Sequence, residues 1–124
     1  MAEVTVLVVD DEPAVLQFVC HALSGYGYRA LPAPDGLQAR DIVEKAGPAI
    51  DLLLSDVMMP GMRGPELARE IALLSPSTRV LFMSGNADLA ELPAGAHFIE
   101  KPFTLRALAA KVEQVLRGAA PAGR

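Results

Sequence analysis

Residues 4–13 read VTVLVVDDEP. Val4–Val9 is an almost wholly apolar, β-branched run that goes straight into Asp10, Asp11 and Glu12. A run without polar alternation predicts a strand covered on both faces. Three carboxylates and Pro13 at its end predict a strand that opens directly into a helix. Asp11 or Glu12 is placed to cap that helix, and Pro13 suits its first turn. From Pro13 to Ser24, Leu16, Val19 and Leu23 recur at three- and four-residue spacing and share one helix face, with Gly25 placed to end it.

The same alternation continues outward. Tyr28–Leu31 reads as a second strand. Asp35 caps a helix carrying Leu37, Ala39, Ile42 and Val43, closed by Gly47 and Pro48. Ile50–Ser55 is a third strand, and Met58–Gly64 a loop punctuated by Pro60, Gly61 and Gly64. Pro65 opens a helix with Leu67, Ala68, Ile71 and Leu74. Arg79–Met83 is a fourth strand, Asn86–Leu92 at most a short helix, and Ala96–Glu100 a fifth strand. Thr104 caps a last helix with Leu105, Leu108, Val112 and Leu116. Five βα units without a sequence repeat predict an α/β fold. It is a single doubly wound parallel sheet of five strands with helices on both faces, the fourth helix being shortened. Residues 1–118 form one domain, and 119–124 a flexible tail.

Composition narrows the function. At 124 residues there is room for one domain and not two. One cysteine, Cys20, excludes a disulfide framework, and with His21 and His97 it is too few for a zinc site. A net charge of −4 leaves no cationic field for direct nucleic-acid binding. Mean hydropathy is high at +0.31, yet the apolar residues come in short runs far below a bilayer span, so no membrane segment is expected. Met1-Ala2-Glu3 starts no signal peptide, and a cytoplasmic, reducing compartment is expected.

In such sheets ligands sit beyond the carboxyl ends of the strands, where strand order reverses. The first strand there meets Asp10-Asp11-Glu12, the third Asp56, the fourth Ser84-Gly85, the fifth Lys101-Pro102. Taken singly, each is an ordinary cap, turn or solvated charge. Together they make a complementary set of carboxylates, a hydroxyl and an ammonium. Clustered carboxylates repel and raise one another's pKa unless neutralised, and Lys101 brings a single charge. An all-oxygen site with few protein ligands suits Mg²⁺ or Mn²⁺ and leaves positions for phosphate oxygens. A carboxylate can act as nucleophile to form an aspartyl phosphate, with the metal and Lys101 neutralising the transferred group.

These residues resemble the receiver domain of two-component response regulators and hybrid histidine kinases. The matching segments are VLVVDDEP (6–13), DLLLSDVMMPGMRGPEL (51–67), VLFMSGN (80–86) and FIEKPF (98–103), in that order. The resemblance implies a flavodoxin-like strand order 2-1-3-4-5 and a role for each residue. Asp56 is the phosphoacceptor, taking its phosphoryl group from a phosphohistidine on a histidine kinase or phosphotransfer domain. Asp11, Asp56 and the Met58 backbone carbonyl ligate Mg²⁺, with Asp10 acting through water. Lys101 pairs with Asp56 and then with phosphoryl oxygens. Ser84 moves to the phosphoryl group, and Phe98 is the aromatic switch behind it. Pro102 follows a cis peptide bond. The kinase-side partner packs on Pro13, Ala14, Phe18, Pro102 and Phe103, and a downstream protein is possible.

The chain also departs from the family. Lys101 follows Ser84 by 17 positions, shorter than most members by more than a helical turn, with the deficit in Asn86–Gly95. Dimerisation through the usual face near the fifth strand is therefore in question, and a monomer or weak dimer is expected. Met58 and Asn86 stand where the family tunes loss of the phosphoryl group. Met58 cannot orient a water and Asn86 can, so moderate to slow self-dephosphorylation is expected. Catalysis is limited to the domain's own phosphorylation and dephosphorylation. The complete set Asp10, Asp11, Asp56, Ser84 and Lys101 argues against a degenerate receiver serving only as a phosphorylation-independent interaction module. An aspartyl-phosphate hydrolase wants a second acid where Met58 stands and a cap over the substrate. A flavodoxin-like nucleotide-binding protein wants a phosphate-cradling loop where this chain has acids. The ending KPFTLRALAAKVEQVLRG (101–118) resembles receivers fused behind kinase cores, so a stand-alone regulator and a hybrid-kinase receiver both stay open.

Overall fold

The computed structural model describes residues 3–46, 49–85 and 90–118. The chain runs β1 (Thr5–Val9), α1 (Pro13–Gly25), β2 (Arg29–Ala33), α2 (Gly36–Ala46), β3 (Leu52–Asp56), α3 (Gly64–Leu74), β4 (Arg79–Ser84), β5 (Phe98–Glu100) and α4 (Leu105–Arg117). The strands form one parallel sheet in the order β2-β1-β3-β4-β5. The order reverses between β1 and β3, which places the crevice at their carboxyl ends.

β1 and β3 are central and buried at every position, as their unalternating apolar runs require. The alternate side chains of each strand feed two separate cores. Val6, Val8, Leu52, Leu54, Leu81 and Met83 pack with α1 and α4 on one face. Leu7, Val9 and Leu53 pack with Val43 of α2 and Leu67 and Ile71 of α3 on the other. The period-2 geometry of a strand divides the residues in this way, and two helical layers cover both halves.

Several boundaries differ from the reading of the sequence. β2 runs through Pro32 to Ala33, since an edge strand can spare the N–H that proline lacks. β5 starts only at Phe98, because a turn at Pro93–Ala96, with Gly95 at φ +78°, precedes it. Neither Asp11 nor Glu12 caps α1 through its side chain; Glu12 is the cap residue by backbone alone. Asp35 and Thr104 do cap, accepting from Gln38 N–H at 2.8 Å and Ala107 N–H at 3.0 Å. Leu37, Leu74 and Leu105 are exposed rather than in the core, being out of phase with the buried positions of their helices. Of the expected short fourth helix, residues 86–89 lie outside the described set, and Ala90–Glu91 form part of a 3₁₀ turn. The tail 119–124 also lies outside it. Among the described residues no helix is long and apolar enough to cross a membrane.

Packing sets the cost of substitution. Leu53 is fully buried, so Leu53→Ala should lower the unfolding free energy by about 2–5 kcal/mol. Leu73, 85% exposed on α3, should change it by less than about 0.5 kcal/mol when made alanine. Urea denaturation of the two variants beside the parent measures both.

Candidate functional site

The site is built by strand ends. β1 delivers Asp10 and Asp11, β3 ends on Asp56, β4 on Ser84, and Lys101 follows β5. Carboxylate oxygens of Asp10, Asp11 and Asp56 lie within 4.8 Å of one another. Asp10 and Asp56 are buried, and Asp11 is exposed at the mouth. The Lys101 ammonium reaches both buried acids, 3.3 Å from Asp10 Oδ2 and 3.3 Å from Asp56 Oδ1. Asp10 Oδ1 accepts the Glu12 backbone N–H at 2.9 Å, so both of its oxygens are engaged. Glu12, read with the acidic cluster in the sequence, is exposed and contributes its backbone rather than its carboxylate to the group.

The electrostatics follow from this crowding. Burial pushes the Asp56 carboxyl up to about 6; Lys101 opposes the rise, and Asp10 adds to it. Burial pulls the Lys101 ammonium down, but Asp56 and Asp10 outweigh it and hold the group above the ordinary lysine value. Three carboxylates against one ammonium leave a negative, all-oxygen cluster that could hold a divalent cation.

Ser84 is buried, and its hydroxyl donates to the Gly85 carbonyl at 3.0 Å. Phe98 lies opposite Phe82 and is 38% exposed, so its ring stands partly outside the core. The Lys101–Pro102 peptide bond is cis. Met58, at the mouth, is exposed. Asn86 lies outside the described residues. Beside the site, Pro13, Ala14 and Pro102 are exposed, as is Phe18 at 46%, while Phe103 is partly buried against the α1–α4 core.

Sequence reasoning passed over what holds Asp56 from behind. The buried Ser55 hydroxyl donates to the Asp56 carbonyl at 2.9 Å. Val57 N–H donates to Met83 O at 3.1 Å, and Gly64 N–H to Val57 O at 2.8 Å. A Cβ on Gly64 would fall 2.3 Å from the Asp56 carbonyl oxygen and 3.1 Å from Val57 Cα. The start of α3 therefore lies on the backbone of Asp56 itself, which a loop glycine in a sequence does not reveal. Arg63 and Glu91, 2.7 Å apart, tie the same loop to the β4–β5 connection.

Residues 6–113 match the family model of the response regulator receiver domain. The chain belongs to the response regulator receiver family. The receiver is 42% identical over 117 residues to the sensor kinase CckA of Brucella abortus (strain 2308), covering 90% of this chain and 12% of that protein. It is 34% identical to the response regulator MprA of Mycobacterium sp. (strain KMS), covering 95% of this chain and 53% of that one. The receiver thus spans a small part of one relative and about half of the other. Among solved structures, the receiver domain of the hybrid histidine kinase CckA superposes with a TM-score of 0.80 at 36% identity, covering 90% of this chain and 98% of that one. The chemotaxis protein CheY4 of Vibrio cholerae gives 0.81 at 32%, with 92% and 99% covered.

Two outcomes are expected from the site. Gly64→Ala should destabilise the receiver by about 1–3 kcal/mol, since α3 must move off Asp56; thermal unfolding reads this. In metal-free buffer the raised Asp56 pKa sets a pH dependence. The folded chain binds this proton at about 6 and the unfolded chain near 3.8, so the charge costs stability above pH 6 and the cost fades as pH falls. Asp56→Asn should therefore be more stable than the parent at pH 7.5, and the difference should close towards pH 4. The Lys101 contribution is constant across that window, because its raised pKa is lost only at higher pH. Urea midpoints of both proteins across the range test the sign.

Proposed function

We propose that this receiver accepts a phosphoryl group on Asp56 from a phosphohistidine and changes conformation in response. The observation that carries the reading is the buried Asp56, one oxygen on Lys101 at 3.3 Å, within a triad of aspartates closer than 4.8 Å. The donor is a histidine kinase or a histidine phosphotransfer domain. In the transfer an Asp56 oxygen bonds to phosphorus, the N–P bond of the phosphohistidine breaks, and the imidazole nitrogen leaves with the electron pair and takes a proton.

The donor set is all oxygen and over-supplied with negative charge, which fits Mg²⁺, with Mn²⁺ as a substitute. Asp11, Asp56 and the Met58 carbonyl would hold the cation. Asp10, whose oxygens serve Glu12 N–H and Lys101, would act through water. When bound, the cation neutralises oxygens of the incoming phosphoryl group. Lys101 stands beside Asp56 to neutralise another and to orient the carboxylate for attack. The domain is an acceptor switch, with catalysis limited to its own phosphorylation and dephosphorylation.

The phosphoryl group brings about −1.5 to −2 charges and three acceptor oxygens. Ser84, now turned to Gly85, would rotate towards it, and the partly exposed Phe98 would move into the space behind. Pro13, Ala14, Phe18, Pro102 and Phe103 border the site and form the surface on which the phosphohistidine domain docks. The domain occupies residues 1–118 and works in the cytoplasm as a monomer or weak dimer. Its similarity to both a sensor kinase and a response regulator supports either setting, as a hybrid-kinase receiver or a separate regulator.

Incubation with acetyl phosphate and Mg²⁺ should add one phosphoryl mass to the parent. Chelation of the metal and Asp56→Ala should each abolish the gain. A parent that gains nothing from acetyl phosphate and also shows no change on beryllofluoride titration would overturn the reading in favour of a phosphorylation-independent module.

A further inference from the structure

β4 has a half-empty edge. Backbone groups of a parallel strand point alternately to its two neighbours. In β4 the odd-numbered residues serve β3: Arg79 N–H donates to Asp51 O at 3.0 Å, and Met83 O accepts from Val57 N–H at 3.1 Å. The even-numbered ones serve β5: Phe82 N–H donates to His97 O at 3.0 Å, and Ser84 O accepts from Lys101 N–H at 2.9 Å. By the same alternation the N–H and C=O of Val80 face the β5 side. There β5 is missing, because pairing begins at Phe82↔Phe98 and the chain before it turns away at Pro93–Ala96. Among the described residues no backbone group meets Val80 from that side. The residue is only partly buried, although its strand lies inside the sheet.

The space left by the missing half-strand is a cavity of about 460 Å³. Ala68 and Ala72 of α3 wall it on one side, Val115 of α4 on the other, and Ala96 closes the end next to β5. These small side chains leave width for a backbone and modest side chains. Arg69, Arg79 and His97 also line it, and no carboxylate among the described residues does, in a chain with four more acidic than basic residues. Arg79 donates to the carbonyls of Val115 and Leu116, and among the described residues no carboxylate pairs with it.

We propose that the open edge of β4 at Arg79–Leu81 is a strand-addition site for an extended, carboxylate-bearing segment of a partner protein. The segment would continue the line of β5, exchange main-chain hydrogen bonds with Val80, place small apolar side chains between α3 and α4, and set its carboxylates towards Arg69 and Arg79. Val80 lies at the end of β4 away from Ser84 and Asp56, so the inference stands apart from the phosphoryl reading.

Amide hydrogen exchange of the ¹⁵N-labelled full chain tests it. In the free protein Val80 should exchange at least about tenfold faster than Leu81, whose N–H faces β3. The probe is a synthetic peptide of about seven residues alternating Val and Glu, an extended segment with the stated chemistry. At saturation it should slow Val80 exchange by about tenfold or more and leave Leu81 unchanged. The same peptide with Lys for Glu should not. Ala72→Glu, an exposed α3 position that puts a carboxylate in the cavity wall, should abolish the slowing while exchange in β1 and β3 stays as in the parent.

Three results would overturn the proposal. One is a Val80 amide as slow as Leu81 in the free monomer, or slowed by raising the protein concentration, which would mean that the chain or a second copy already covers the edge. Another is no effect of the Glu peptide on Val80. The last is equal protection by the Lys peptide.

Discussion

A buried carboxylate must be given a counter-charge or be protonated, and the Lys101 ammonium, 3.3 Å from both Asp10 and Asp56, is where this chain meets that demand. The acids close β1 and β3, and the lysine follows β5. Contact among them requires those three carboxyl ends to stand on one side of one sheet. Parallel strands with the order reversing between β1 and β3 satisfy this. One ammonium does not neutralise three acids; burial raises the Asp56 pKa, Lys101 only partly opposes the rise, and Asp10 adds to it. The charge left over is what could hold a divalent cation at Asp10, Asp11 and Asp56.

Asp56 is held from behind as carefully as from the front. Ser55 on its carbonyl, Val57 on β4 and the bare Gly64 beneath α3 lock the Asp56 backbone between two layers. Under the proposed switch, a change of charge at the carboxylate would therefore pass to side chains that can turn rather than to the chain itself. Ser84 and Phe98 would be such side chains: one hydroxyl turned to its neighbour's carbonyl, and one ring partly out of the core. The shortened connection between β4 and β5 has a second consequence. It leaves β5 three residues long and, among the described residues, the first half of β4 without a strand on its β5 side.

Much of this was legible in residues 4–13 and their later echoes. Unalternating apolar runs in Val6–Val9 and Leu52–Leu54 could only be strands covered on both faces, and residues set three and four apart marked the helices between them. The site residues Asp10, Asp11, Asp56 and Lys101 were legible because acids and a lysine stood where each run stopped. The misplaced residues share a cause. Leu37, Leu74 and Leu105 are apolar like their buried neighbours, and only the phase of the packed helix puts them outside. The side-chain cap expected from Asp11 or Glu12 did not form; Glu12 caps α1 by its backbone, and its own N–H donates to Asp10.

The sequence by itself determined the order of strands and helices, the two-sided burial of the sheet and the set of groups gathered at its carboxyl end, since these follow from periodicity and local chemistry. Only the tertiary structure decided that Asp10 shares Lys101 with Asp56, that Glu12 lends its backbone and not its carboxylate, that Gly64 must be bare, and that among the described residues β4 keeps an open edge at Val80. Those are distances between residues far apart in the chain, and no local preference encodes them until two helical layers press the sheet into a single packing.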